Sequence, residues 1–456
     1  MKRRIFGLET EYGLACSDHT GAYVKVDPAD IAAHIFADMQ EKTGTTSVFL
    51  PNGGRLYLDV GDHPEYATAE CTQIDELLAQ DRVGDEILAD RADYAERALG
   101  YHVHIFKNNV DTAAHSYGCH ENYLVRRRRD FLDRLQDLIP FFVTRQLLVG
   151  AGCVYREPGT VRYEISQRAR HMHGAISTSS TRTRPMINTR DEPHADSERF
   201  RRMHVIVGDS NMVDTTTMLK IGMTHAILNV LEDGGRLPAL ALAEPMQAIR
   251  QVTQDLSGTT LLMRDNGTTI RAIDIQEAIF ESVMSYYQRA GWLPSIDSNM
   301  QYVFDLWKRA LEAFASGDFS SVHTEIEWIA KYELITRYRR RHSVALNDDR
   351  IARLELAWHD ISSAGLRPQL EKYGIIARKV STHDLSVARF SAPQTSRARV
   401  RAKFIVAAQQ HHRDYSVDWS RVRLFSGGQG TSVTLNDPFV TTDAAVDALI
   451  ETMENQ

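Results

Sequence analysis

The stretch from Phe6 to Gly13, which reads FGLETEYG, has the two-residue alternation of a β-strand. Successive side chains of a strand point to opposite faces, so Glu9 and Glu11 share one face, about 6.6 Å apart along the strand. The apolar residues fall on the other face, toward the core: Phe6, Leu8 and Tyr12. Two neighbouring carboxylates repel each other unless something positive lies between them, and Mg²⁺ prefers oxygen ligands. We therefore predict a metal-binding strand, with an exposed face of an antiparallel sheet as the alternative.

A second alternating segment is the stretch from Asn52 to Cys71, NGGRLYLDVGDHPEYATAEC. It predicts a strand with one apolar face (Leu56, Leu58 and Val60) and one polar face (Arg55, Tyr57 and Asp59), followed by a turn and by Glu65, Thr68 and Glu70. Arginine can hold phosphate oxygens in a bidentate fork, and Asp59 can accept a proton from an attacking nucleophile. The carboxylates of Glu65 and Glu70 can add metal ligands. The alternative is an exposed edge strand with mixed charges.

Histidines and arginines are concentrated in the segments SYGCHENY, SQRARH, INTRDEPHAD and RRMHVIVGDSNM. They supply candidates for contact with a polyanion: His120, Arg168, Arg190, Arg202 and His204. Each of the two histidines can serve as a metal ligand or as an acid. A lone histidine is more often a hydrogen-bonded core residue, so that alternative stays open.

The composition excludes several classes of protein. Of 456 residues, 43% are hydrophobic and 25% are charged, as in ordinary globular domains, and no apolar run is long enough to span a membrane. The formal net charge of −7 is opposite to that of proteins that bind nucleic acid through its phosphates. The first residues lack the apolar segment of a signal peptide, so we expect a cytoplasmic protein. The four cysteines lie far apart, which predicts free thiols.

Strand and helix patterns alternate irregularly, which predicts an α+β fold. The expected strands are Arg4 to Tyr12, Arg55 to Val60, Tyr101 to Phe106 and Thr431 to Leu435. The expected helices are Asp27 to Lys42 with Asp27 as N-cap, Gln73 to Leu99, Arg129 to Leu148, Met218 to Glu232, nearly all of Pro245 to Ile361, Arg397 to Gln410 and one at the C-terminal end. The polar segment SAPQTS, Ser391 to Ser396, predicts a boundary between a large domain, residues 1–390, and a small one, residues 391–456.

The motifs of serine hydrolases, zinc proteases and Rossmann dinucleotide-binding proteins are missing from the sequence. Hydrolysis through a serine or a zinc centre therefore has no support. The residues alone predict a soluble α+β protein with a carboxylate- and arginine-lined sheet face that suits Mg²⁺ and a nucleotide.

These segments, with FKNNVD and VHTEIEW, resemble the Pup–protein ligase family, the proteasome accessory factor A proteins of actinobacteria. The similarity runs from about Arg3 to the end of the chain, and strings this long and unusual do not match by chance. The family is related to glutamine synthetase and glutamate–cysteine ligase. The resemblance therefore implies a curved antiparallel sheet whose concave face holds ATP and Mg²⁺, with a small C-terminal α/β domain packed beside it.

The reaction that the resemblance implies is ATP-dependent isopeptide formation. Mg·ATP phosphorylates the side-chain carboxylate of the C-terminal glutamate of Pup, a small disordered protein. The ε-amine of a lysine on a target protein then attacks the γ-glutamyl phosphate, and the conjugate is marked for the proteasome. Phosphorylation supplies the leaving group that a carboxylate lacks, and the lysine must lose a proton before it attacks.

The resemblance also implies roles for individual residues. Asp59 matches the family's proton acceptor. The magnesium positions match Glu9, Tyr57 and Glu65, and the ATP positions match Arg55, Thr68 and Trp419. Weaker candidates for contact with metal or phosphate are Glu11, Glu70, His120, Arg168 and His204. Tyrosine is an unusual magnesium ligand, so Tyr57 is expected to act through water.

Two other activities share the implied fold. The Pup deamidase, or depupylase, has a long insertion before its NGxRLYxD segment and reads DHAHPEY after it. Here the segment between Gly13 and Asn52 is short and the turn reads DVGDHPEY, as expected for the ligase. A small-molecule carboxylate–amine ligase would share the metal-binding face. One departure from the ligase pattern is HMHG, His171 to Gly174, where HIWEG is expected; it affects local contacts and not the reaction.

Overall fold

The computed structural model describes residues 3–59, 61–111, 115–178, 184–426 and 429–454, and an eight-stranded sheet organises them. From one edge to the other its strands are β11 (Gly174–Ser177), β12 (Pro185–Asn188), β13 (Phe200–Val205), β8 (Cys119–Arg126), β1 (Phe6–Glu11), β6 (Pro64–Ala67), β5 (Arg55–Leu58) and β4 (Ser47–Phe49). Neighbouring strands are antiparallel, apart from the parallel pair β11–β12 at one edge. β1 therefore lies in the interior of the sheet, between β8 and β6.

The two faces of β1 differ as the alternation predicts. Phe6 and Leu8 are buried in the main hydrophobic core, which also includes apolar side chains of the helices behind the sheet. Tyr12, just after the strand, is fully buried in a second hydrophobic cluster. The opposite face carries Glu9 and Glu11, so the burial of the apolar face fixes the direction in which the two carboxylates point.

Smaller sheets surround the central one. The remaining strands are β2 (Gly13–Ser17), β3 (Tyr23–Val24), β7 (His102–Phe106), β9 (Cys153–Glu157), β10 (Thr160–Glu164), β14 (Leu261–Met263), β15 (Thr269–Arg271), β16 (Tyr415–Val417), β17 (Arg421–Ser426) and β18 (Gln429–Thr434). They form the sheets β3-β2-β7 and β16-β17-β18 and the hairpins β9–β10 and β14–β15.

The described residues also form fourteen α-helices. They are α1 (Pro28–Thr43), α2 (Ile74–Leu99), α3 (Phe131–Thr144), α4 (Gln146–Val149), α5 (Asp214–Glu232), α6 (Pro245–Gln254), α7 (Ala272–Arg289), α8 (Ser298–Ser316), α9 (Glu327–His342), α10 (Asp349–His359), α11 (Arg367–Lys372), α12 (Thr382–Phe390), α13 (Ala398–Gln410) and α14 (Ala444–Glu454). Of these, α2 and α5 contact strands of the central sheet. α5 is buried along its whole length and packs against α2 and β8. Within the described ranges, no helix is both long and apolar enough to cross a bilayer.

Most of the expected elements are present, and the differences have local causes. α1 begins as predicted, with the Asp27 side chain accepting a hydrogen bond from the amide of Ala29 at 3.0 Å. The helix expected over Arg129 to Leu148 is two helices, α3 and α4, with Arg145 between them as the C-cap of the first and the N-cap of the second. The region expected to be nearly all helix also contains the hairpin β14–β15. The four cysteines are free, as predicted.

The C-terminal part of the chain has a hydrophobic cluster of its own. Apolar residues of α13, α14 and the sheet β16-β17-β18 form it, among them Phe404, Val422 and Ile450. Of the three strands of this sheet, the sequence predicts only β18, with its ends shifted by one or two residues. It does not predict β16 or β17. At the end of the segment Ser391 to Ser396, the Ser396 hydroxyl donates a hydrogen bond to the main-chain oxygen of Glu70 at 2.6 Å.

Candidate active site on the central sheet

Three carboxylates meet on the polar face of the central strands. Glu11 lies opposite Glu65 in the pair β1–β6, and Glu65 lies opposite Tyr57 in the pair β5–β6. Residues directly opposite each other in an antiparallel pair project to the same face of the sheet. Asp59 follows β5, and one oxygen from each of Glu11, Asp59 and Glu65 lies within 4.8 Å of the others. We call these three residues the acidic group.

The electrostatics of the acidic group favour a bound cation. Burial and the nearby charges of Glu9 and Glu11 raise the pKa of Glu65 well above its usual value. Burial, together with the charges of Glu9 and Glu65, also raises the pKa of the Tyr57 phenol. A divalent cation would remove this repulsion. Because the acidic group offers only oxygen donors, its chemistry fits Mg²⁺.

A second cluster combines Glu9 with two histidines, and we call Glu9, His120 and His204 the histidine group. Glu9 lies opposite His120 in the pair β1–β8, and His204 comes from the next strand, β13. The Oε2 atom of Glu9 is 3.5 Å from Nδ1 of His120 and 3.8 Å from Nε2 of His204. The two imidazole rings meet edge to face with their centroids 5.0 Å apart. Three adjacent strands thus supply three donors that lie within 4.8 Å of one another.

The charge states in the histidine group also suit a metal ion. Burial lowers the pKa of His204 to about 3, so its imidazole is neutral near pH 7 and has a lone pair to offer. Among the residues that the structure describes, neither ring nitrogen of His204 has a hydrogen-bond partner. Burial acts to raise the pKa of Glu9, but the hydrogen bond with His120 and the charge of Arg202 outweigh it and hold that pKa well below its usual range. An ionised carboxylate beside unpaired imidazole nitrogens fits a divalent metal ion.

A cavity opens beside Glu9 of the histidine group. Its lining includes Glu9 of β1, Thr68 just after β6, Arg202 of β13 and Trp419 of the C-terminal part. The Trp419 ring packs edge to face against Phe49 of β4, with the centroids 4.9 Å apart. The structure therefore brings two of the predicted ATP contacts, Thr68 and Trp419, into one cavity with a predicted metal ligand.

Arg55, the third predicted ATP contact, lies outside this lining. Its guanidinium group donates a hydrogen bond to the Ser47 hydroxyl at 2.7 Å. The guanidinium carbon lies 4.5 Å from the centroid of the Tyr57 ring and 5.7 Å from that of Phe49. Arg55 thus lies beside Tyr57, which pairs with Glu65 of the acidic group. Its contact with Phe49 also places it near the wall that Trp419 forms.

Two of the weaker candidates have their polar atoms engaged by the protein itself. Glu70 accepts hydrogen bonds from Nε of Arg397 at 2.9 Å and from a terminal nitrogen of Arg401 at 2.8 Å. Arg168 donates to the main-chain oxygens of Tyr117 at 2.7 Å and Ile206 at 3.1 Å. Glu70 lines the cavity, but neither residue belongs to the acidic or the histidine group.

The sequence analysis missed Asn122, which supports Glu9, and Glu192, which supports Arg202. Asn122 donates a hydrogen bond to Oε1 of Glu9 at 3.1 Å and accepts one from Arg202 at 2.9 Å. Arg202 also donates to the main-chain oxygen of Glu192 at 3.1 Å. Asn122 stands two residues after His120 on one strand, so the same alternation that places Glu9 and Glu11 could have identified it. Glu192 lies outside regular structure and has no periodic signal.

Comparison with known proteins finds similar sequences over nearly the whole chain. A family model described as Pup-ligase protein matches residues 4–423. A Pup–protein ligase of Sanguibacter keddieii is 45% identical over 457 residues, and one of Xylanimonas cellulosilytica is 47% identical over 463 residues. Each alignment covers 99% of this chain, with 99% and 100% of the respective relatives.

Two solved structures are also similar over nearly the whole chain. A crystal structure of the complex between the prokaryotic ubiquitin-like protein Pup and its ligase PafA has a TM-score of 0.94 and 41% identity, covering 100% of this chain and 92% of that one. A structure of the Pup ligase PafA in complex with ADP has a TM-score of 0.85 and 40% identity, covering 96% of both chains.

Proposed function

The chain belongs to the Pup-ligase protein family and is an ATP-dependent ligase, and from this premise we propose how its sheet face attaches Pup to target proteins. One observation carries the assignment of residues. The carboxylate of Asp59 joins those of Glu11 and Glu65, and Glu9 beside them lines the cavity with Thr68 and Trp419. The proposed proton acceptor and the proposed metal ligands thereby lie next to the proposed nucleotide cavity.

The cavity is the proposed site of ATP. The aromatic ring of Trp419 suits the base, and Thr68 lies on the same wall. Arg202 and Glu9 lie where the phosphates would approach the metal ligands, and Arg55 is proposed to reach the phosphates from beside Tyr57. The relative solved with ADP supports nucleotide binding in this fold.

Glu9, Tyr57 and Glu65 are the proposed holders of Mg²⁺, with Glu11, His120 and His204 close enough to contribute. When bound, the ion neutralises phosphate charge and orients the phosphoryl group for transfer. The register of β5, β6 and β1 aligns Tyr57, Glu65 and Glu11 in one row across the sheet, so the donors are held by backbone pairing rather than by mobile loops. Such pre-set donors need little rearrangement during the reaction.

The proposed reaction has two steps. An oxygen of the side-chain carboxylate of the C-terminal glutamate of Pup attacks the γ-phosphorus of ATP, the bond to the bridging oxygen breaks, and ADP leaves. The ε-nitrogen of a target lysine then attacks the acyl carbon, and inorganic phosphate leaves with the electrons of the broken C–O bond. Asp59 accepts the proton that the lysine nitrogen gives up, which is the role of a general base.

The cellular setting is also a proposal. The product is a protein joined through lysine to Pup and destined for the proteasome, formed in the cytoplasm. The net charge of −7 and the sheet-face site support a protein partner over nucleic acid.

The experiment that tests this function is a gel-shift assay with purified protein, Mg·ATP, Pup ending in glutamate and a lysine-bearing acceptor protein. We expect a heavier band that requires both ATP and Pup. A parallel reaction offers conjugated Pup without free Pup. Release of Pup there, with no conjugation in the first assay, would establish the depupylase activity instead. ATP turnover with small carboxylates and amines but not with Pup would establish a small-molecule ligase.

A further inference from the structure

The loop that carries Asp59 is a tight connection between β5 and β6. The amide of Asp59 donates a hydrogen bond to the main-chain oxygen of His63 at 3.0 Å. This bond lies next to Leu58 and Pro64, the last paired residues of β5 and β6. Inside the loop, Gly61 and Asp62 both have positive φ angles, of 106° and 62°. A non-glycine residue in this conformation costs about 1–3 kcal/mol, so the surrounding structure must hold the loop in place.

His63 holds the loop to the end of strand β1. Its Nδ1 atom is 3.0 Å from the main-chain oxygen of Tyr12, and since a carbonyl oxygen only accepts, Nδ1 carries the proton. The amide of Tyr12 in turn donates to the main-chain oxygen of Pro64 at 2.9 Å. Tyr12 follows Glu11 directly, so this contact joins the Asp59 loop to the strand end that presents the rest of the acidic group.

A stacked tyrosine supports the other side of His63. The rings of His63 and Tyr117 are 4.5 Å apart between centroids and inclined by 27°. The Tyr117 hydroxyl donates a hydrogen bond to Oδ1 of Asn108. A Cβ atom at Gly13 would lie 2.3 Å from that hydroxyl oxygen, so the glycine makes room for the tyrosine. His63 is therefore fixed in two directions by groups that do not belong to its loop.

We propose that His63 is a positioning residue that sets the place of Asp59 for the attack of the lysine amine, an inference that rests on the proposed role of Asp59 as base. The main chain of His63 binds the amide of Asp59, while its side chain binds Tyr12. The imidazole thereby ties the end of strand β1 to the residue whose main-chain oxygen holds Asp59. Since Asp59 is the proposed acceptor of the lysine proton, the expected effect of His63 falls on the second step.

The test compares two substitutions of His63 with a matched control. His63→Asn keeps an N–H donor near the place of Nδ1, whereas His63→Phe keeps the ring for stacking and loses the donor. The control is His323→Phe, because Nδ1 of His323 makes the same kind of bond, to the main-chain oxygen of Ser320 at 2.6 Å, in another part of the chain. ADP formed with Pup in the absence of an acceptor reports the first step. Conjugate formed after addition of the acceptor reports the second step, and thermal melting reports stability.

We expect His63→Phe to slow the second step by about 10- to 100-fold, the size of effect that a misplacement of 1 Å produces. In His63→Phe, ADP formation should stay within twofold of the parent and the melting temperature within a few degrees. His63→Asn should recover most of the rate of the second step. His323→Phe should change the rate of neither step. Equal slowing of both steps, or an unchanged second step in His63→Phe, would overturn the inference. Asp59→Asn is measured in parallel. If Asp59→Asn forms the conjugate at the parent's rate, the proposed role of Asp59 as base is wrong. If Asp59→Asn fails to form the conjugate while His63→Phe forms it normally, only the proposed role of His63 is wrong.

Discussion

Glu70 and Arg401 form a buried ion pair that joins the end of β6 to helix α13. Two nitrogens of the Arg401 guanidinium group donate to the two carboxylate oxygens of Glu70, and the arginine is fully buried. The same guanidinium group donates to the main-chain oxygens of Gly53 and Trp419, both at 3.0 Å. One arginine therefore links the central sheet to Trp419, which forms the aromatic wall of the cavity. The C-terminal part of the chain is thus a component of the proposed nucleotide site.

The first prediction concerns the stability that this pair provides. Removing one member of a buried pair costs about 3–5 kcal/mol, because the other charge is left without a partner, so Glu70→Gln should lower the free energy of unfolding by about that amount. Urea denaturation followed by circular dichroism at pH 7 measures it. The matched control is Glu312→Gln, which breaks an exposed pair with Lys308 and should change stability by less than about 1 kcal/mol. Equal losses of stability in Glu70→Gln and Glu312→Gln would contradict the conclusion that the buried pair of Glu70 and Arg401 stabilises the fold.

The same pair predicts a pH dependence with a defined sign. Burial acts to raise the pKa of Glu70, but Arg401 and Arg397 outweigh it and lower that pKa from 4.5 to about 2. A lowered folded-state pKa contributes stability above the unfolded-state pKa, and this stability is lost as the pH falls through the folded-state pKa. The stability difference between the parent and Glu70→Gln should therefore be constant above about pH 5 and should narrow between pH 4.5 and 2. A difference that grows on acidification would show that another group is responsible.

The histidine group predicts a metal-binding phenotype for His204. Its ring nitrogens have no hydrogen-bond partner among the described residues, so His204→Gln removes an imidazole nitrogen without breaking a hydrogen bond to them. We expect metal affinity to fall by about tenfold or more while the melting temperature changes little. Electron paramagnetic resonance titration with Mn²⁺ measures the affinity. The control His115→Gln replaces an exposed histidine that pairs with Asp111 and should bind Mn²⁺ like the parent.

The faces of the strands could be predicted from the sequence, but their register could not. Alternation places Glu9 and Glu11 on one face and Phe6 and Leu8 on the other, as the structure confirms. It does not show that the two carboxylates serve different clusters. The pairing of β1 with β8 puts Glu9 beside His120, and the pairing with β6 puts Glu11 beside Glu65. Register depends on packing between distant segments, so a single strand does not reveal it.

Glu70 shows the same limit over a longer separation. By sequence it is one more carboxylate after the turn, and its pattern predicts contact with metal or phosphate. Its partners lie more than 300 positions away, Arg397 just before α13 and Arg401 within it. Only the packing of α13 against the end of β6 shows that these charges are buried and paired.

The aromatic wall of the cavity predicts a graded effect on ATP binding. Stacking of a base on an aromatic ring is worth about 1–3 kcal/mol, so Trp419→Ala should weaken ATP binding by about 5- to 150-fold. Trp419→Phe keeps an aromatic face and the packing against Phe49, so its loss should be smaller. Isothermal titration calorimetry with a non-hydrolysable ATP analogue measures both variants. Equal losses of ATP affinity in the two variants would contradict a stacking contact between the aromatic ring of residue 419 and the base.

The role of Asp59 as base predicts a defect confined to one step and dependent on pH. Asp59→Asn should bind ATP and form ADP with Pup, but conjugate formation should fall by about 100- to 10,000-fold at pH 7.5, because nothing removes the proton of the lysine. Solvent deprotonates lysine as the pH approaches its usual pKa of about 10.4, so the defect should shrink between pH 7.5 and 9.5. Single-turnover assays over this range measure it. Asp62→Asn is the matched control, since it lies in the same loop at a positive φ that asparagine tolerates, and it should conjugate like the parent. A defect in Asp59→Asn that stays constant with pH would assign Asp59 to binding rather than to proton transfer.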